Sequence, residues 1–77
     1  MITKNTLNGY GFNSITDYFN YIYESLLNGL YSQVKDLINR LSVRQQKEFH
    51  EWLFNHSYIK QEHKNYLFGL LFNNLRK

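Results

Sequence analysis

The sequence predicts an all-α protein, a small bundle of three to four helices with an irregular N-terminal arm. Three observations carry this. Apolar residues recur at helical spacing in successive segments, Ser residues with the form of capping boxes precede two of those segments, and no stretch alternates as a strand does. Residues 1–13 hold Gly9, Gly11 and the turn dipeptide Asn8-Gly9 without apolar periodicity, so they read as a flexible or loosely packed arm whose Tyr10 and Phe12 tuck against the body. Residues 14–77 form one helical domain.

Ser14 with Asp17 three residues on opens the first helix, Ile15–Leu27, whose stripe is Ile15, Tyr18, Phe19, Ile22 and Leu26. Asn28-Gly29 is a left-handed stop, yet the stripe continues through Leu30, Val34, Leu37, Ile38 and Leu41. Residues 15–41 therefore fit either two helices joined at Gly29 or one long kinked helix. Ser42 with Gln45 starts the next helix, with Phe49, Trp52 and Leu53 inward and Arg44, Gln45, Gln46, Lys47, Glu48 and Glu51 on a solvated face. Ser57 is placed to cap a last helix over residues 58–75.

That last helix is apolar nearly all round. Ile59, His63, Tyr66, Leu67, Leu70 and Leu71 share one side, and Phe68, Phe72 and Leu75 form a second stripe. A helix apolar on every side is buried on more than one face. A chain of 77 residues leaves a marginal core, and 14 of its residues are aromatic. The expectation is a homodimer held through Tyr66, Phe68, Leu71, Phe72 and Leu75.

The absence of cysteine excludes disulfides, thiolate zinc sites and cysteine nucleophiles, and it fits a cytoplasmic protein. No apolar run approaches the roughly 20 residues that span a bilayer, and the first residues lack the apolar core of a signal peptide. Alanine and proline are missing while Asn occurs ten times, a composition that reads as the imprint of an AT-rich genome, such as that of a phage or plasmid of a low-GC host.

His50, His56 and His63 lie near Glu51 and Glu62, but their spacing does not match a two-His zinc helix, and no cofactor is expected. Catalysis is not expected either, because so short a chain leaves little room for a water-excluding pocket of several hundred Å³. Net charge is +3, concentrated in residues 34–77. That mild positive field favours an acidic partner and falls short of a nucleic-acid footprint.

The functional expectation is a small non-enzymatic regulator that binds another protein with an acidic surface. An inhibitor encoded by a phage or other mobile element, occupying a replication, transcription or defence component of its host, fits this profile. Tyr10, Phe12, Arg40, Arg44 and Lys47 are its anchors, since aromatic and arginine side chains carry most interface energy. The alternative is a helical DNA-binding regulator that uses residues 31–52 as a helix-turn-helix, with Ser42, Arg44, Gln45 and Lys47 at the start of the recognition helix. Against it, the turn lacks its usual glycine, and Glu48 and Glu51 would face phosphates.

Overall fold

The computed structural model describes residues 1–75 and is all-helical over them. Five helices follow in order: α1 (Lys4–Gly9), α2 (Ile15–Leu27), α3 (Tyr31–Asn39), α4 (Val43–Asn55) and α5 (Gln61–Leu75). α2 pairs with α3, α4 pairs with α5, and α5 also lies against α3. Tyr31 meets Tyr66 at one end of the α3–α5 contact, with ring centroids 5.6 Å apart. Asn74 donates to Asn39 at 2.9 Å at the other end, so these two helices run parallel.

The helix count exceeds the expected three or four because the segment read as an arm contains α1. Thr3 caps it by accepting from the Thr6 N–H at 3.2 Å, and Ile2 and Leu7 are buried in the common core. Ile2 and Leu7, five positions apart, make no helical periodicity. The grip on Ile2 comes instead from Gln45, 43 residues away, whose Nε2 donates to the Ile2 carbonyl at 2.6 Å while its Oε1 accepts from the Ile2 N–H at 3.0 Å.

Residues 15–41 form two helices. α2 ends in a Schellman turn: Gly29 sits at φ +74°, its N–H bonds the Leu26 carbonyl at 3.0 Å, and the Leu30 N–H reaches the Ser25 carbonyl at 2.9 Å. Ser14 is the N-cap residue of α2 but makes no side-chain cap bond, and Asp17 reaches back to the Asn13 N–H at 2.9 Å instead. The Ser42–Gln45 capping box of α4 is complete. Gln45 and Gln46 leave the solvated face assigned to them, because Gln45 holds Ile2 and the buried Gln46 donates its Nε2 to the Leu41 carbonyl at 3.1 Å.

The core centres on Phe49, which packs against Phe19 at 5.0 Å and Trp52 at 5.8 Å between ring centroids. α5 begins at Gln61 rather than at residue 58; residues 57 and 58 form a turn that leaves Tyr58 exposed and drives Ile59 into the core, and Ser57 caps nothing. The crowded apolar surface of α5 is largely absorbed within the chain, because the helix occupies a groove between two neighbours. Leu67 and Leu71 are fully buried, while Tyr66, Phe68 and Leu70 are half-buried against the same core. Phe68 covers His50 of α4 at 4.6 Å and Tyr66 covers Tyr31 of α3. One small body thus takes up most of both stripes by meeting the helix from two sides, and it leaves Phe72 of the second stripe exposed.

Candidate functional site

The turn that ends α1 repeats the Schellman geometry. Gly11 sits at φ +82°, its N–H bonds the Asn8 carbonyl at 3.0 Å, and the Phe12 N–H bonds the Leu7 carbonyl at 2.8 Å. This reversal leaves Tyr10 exposed and turns Phe12 partly inward. Together with α2 and α3 it encloses an open cleft of about 370 Å³, lined by Tyr10, Phe12, Tyr18, Tyr21, Gln33, Asp36, Leu37 and Arg40. The α3 contributors fall at spacings of three and four residues and so share one helix face. The turn after α1, which carries Tyr10 and Phe12, adds a third wall to the α2–α3 pair, and the resulting space is an open cleft rather than a water-excluding pocket.

Four aromatic rings make the apolar lining. Phe12 stands 6.0 Å from Tyr10, 5.6 Å from Tyr21 and 6.2 Å edge-on from Tyr18, measured between centroids. The buried Tyr18 hydroxyl donates to the Leu37 carbonyl at 2.7 Å, and burial pushes its pKa up to about 12 against a smaller opposing pull from Arg40. Polar groups occupy the rim. Arg40 Nη1 donates to the Tyr10 hydroxyl at 2.8 Å and Nη2 pairs with Asp36 at 3.1 Å. Gln33 Nε2 donates to the Tyr21 hydroxyl at 3.1 Å and to Ser25 Oγ at 2.8 Å.

Of the five expected partner-binding residues, the structure brings Tyr10, Phe12 and Arg40 into this cleft. Arg44 and Lys47 stand apart on α4, exposed; the Arg44 side chain is 91% accessible and faces Glu48 one turn on at 3.6 Å. Tyr21, Gln33 and Asp36 were not singled out from the sequence. Their signal was present: Tyr21 is an aromatic residue off the apolar stripe of α2, and Gln33, Asp36 and Arg40 run at helical spacing beside the stripe of α3.

Among the five expected self-association residues, Leu71 has no surface to offer, being fully buried in the core. Tyr66, Phe68 and Leu75 are half-buried, and Phe72 is 62% exposed. The three histidines go to separate ring contacts, His50 on Phe68, His56 on Trp52 and Tyr58, and His63 on Tyr23. Among the described residues no cluster of three or more metal-ligating side chains forms, and no helix is long and apolar enough to cross a membrane. Across residues 31–52, α3 pairs chiefly with α2 and α4 chiefly with α5, rather than with each other.

No protein-family model, curated protein or solved structure matches this chain.

Proposed function

We propose that this chain is a small non-enzymatic regulator that binds another protein through the cleft between the α1–α2 turn and α3. The observation that supports this is the convergence of Tyr10 and Phe12 with Arg40, which lies 30 positions beyond Tyr10, on one open cavity of about 370 Å³. Aromatic and arginine side chains around a concavity are the usual anchors of a protein interface. The basic excess of residues 34–77 favours a partner with an acidic surface. Arg44 and Lys47 serve in this reading as outlying charges that speed the encounter.

The proposal extends to an intracellular inhibitor encoded by a phage or other mobile element and aimed at a host replication, transcription or defence protein; the composition supports that extension. It also includes a homodimer formed along α5 with Tyr66, Phe68, Phe72 and Leu75, the members of the expected set that keep exposed surface. Leu71 leaves that set because it is buried.

Site-specific photo-cross-linking tests the reading. A benzophenone side chain replacing Tyr21 is expected to trap one discrete protein in the native host, while the same probe at Glu51, on α4, traps nothing comparable. Adducts from position 51 alone, or equal adducts from both, would contradict the assignment of the cleft.

A further inference from the structure

We infer that the cleft receives a single aromatic side chain of the partner, with a carboxylate beside that side chain engaging Arg40. This rests on the reading of the cleft as the binding surface and specifies what enters it. At about 370 Å³ the cleft lies at the small end of the range of about 300–1,000 Å³ common for ligand clefts, which suits a compact group such as one large aromatic side chain. The rings around Phe12 are tilted or edge-on to it, at 40°, 48° and 89°. Their planes thus differ among themselves, and aromatic pairs favour tilted and edge-to-face arrangements at centroid distances of about 4.5–7 Å, so a ring entering beside them has more than one orientation in which to pack.

The rim selects the neighbour of that ring. Arg40 carries five N–H donors, of which two are used on Asp36 and Tyr10. Its side chain and that of Asp36 are each at least half exposed, so the existing ion pair is weak and a second carboxylate can join or replace Asp36 at little cost. The Tyr10 and Tyr21 hydroxyls both accept hydrogen bonds from within the protein, which leaves each O–H to donate to an acceptor on the ligand. A cationic occupant fits poorly, since it would meet the Arg40 guanidinium while Asp36, the one carboxylate of the rim, is already engaged by it.

The test is a titration of isotope-labelled full-length protein, followed by amide chemical shifts, with three capped dipeptide amides: Glu-Trp, Glu-Ala and Lys-Trp. Saturable shifts from Glu-Trp at Phe12, Tyr21, Gln33 and Arg40 are expected. Binding of Glu-Ala should be weaker by about tenfold or more, the equivalent of about 1.4 kcal/mol. Lys-Trp should bind more weakly than Glu-Trp to the native protein, and the order should reverse in Arg40→Gln, where Asp36 is left unpaired on the rim. An equal response to Glu-Ala, or no response at the cleft residues, overturns the inference. If the Tyr21 cross-link to a partner persists in that case, only the aromatic occupant is wrong; if it is also absent, the protein-binding reading falls with it.

Discussion

Gln45 holds Ile2 by both ends of its carboxamide, donating to the carbonyl at 2.6 Å and accepting from the N–H at 3.0 Å. The same Oε1 accepts from the Ser42 N–H at 3.0 Å, so one side chain starts α4 and fastens the chain just before α1. Because α1 leads directly into Tyr10 and Phe12, this clamp also sets one wall of the cleft.

Gln45→Ala removes all of these bonds. Each is worth about 0.5–1.5 kcal/mol net, so a loss of about 1.5–4.5 kcal/mol is expected in urea denaturation. Proteolysis near the N-terminus should rise in step. An unchanged midpoint would show that burial of Ile2 and Leu7 alone holds α1.

Two glycines give opposite signs. An added Cβ meets nothing within 4 Å at either Gly29 or Gly69, so backbone conformation decides. Gly29→Ala forces a left-handed φ of +74° on alanine and is expected to cost about 1–2 kcal/mol. Gly69→Ala, inside α5, should stabilise by about 0.5–1 kcal/mol. Thermal melts of the two variants check both signs.

Tyr18 links stability to alkaline pH. Its pKa rises from 10.0 to about 12 on folding, chiefly through burial, so the folded state favours the neutral phenol. That contribution is complete below pH 10 and is lost as pH climbs through 10 toward 12. Tyr18→Phe should flatten the fall over that interval. It should also lower stability at neutral pH by about 0.5–1.5 kcal/mol, through loss of the bond to the Leu37 carbonyl.

Self-association along α5 predicts a sedimenting mass of twice the chain at micromolar concentration. Phe72→Asp, at a position 62% exposed, should give a folded species of single-chain mass. A native protein that sediments as a monomer at that concentration removes the homodimer.

Local chemistry made most helices readable. The Ser42–Gln45 capping box and the Asn28-Gly29 stop act over a few residues, and both sit where the sequence places them. α1 was hidden because Ile2 is fixed by a residue 43 positions away, and a six-residue helix has no period to display. The α5 stripes were visible, but their destination depended on tertiary placement: lying between α3 and α4 lets one helix bury two sides. Likewise Tyr10, Phe12 and Arg40 stood out individually as anchors, whereas the cavity they line exists only once the turn after α1 is folded beside the α2–α3 pair.

The most direct test of the cleft as a protein-binding surface is calorimetric affinity for the cross-linked partner, once purified, across the native chain, Tyr10→Ala, Arg40→Gln and Arg44→Glu. All three substitutions fall at exposed positions. The account predicts that Tyr10→Ala and Arg40→Gln each weaken binding about tenfold or more, while Arg44→Glu acts mainly on the association rate and its salt dependence. Full affinity in the two cleft variants, with loss confined to Arg44→Glu, would contradict it and move the binding surface to α4.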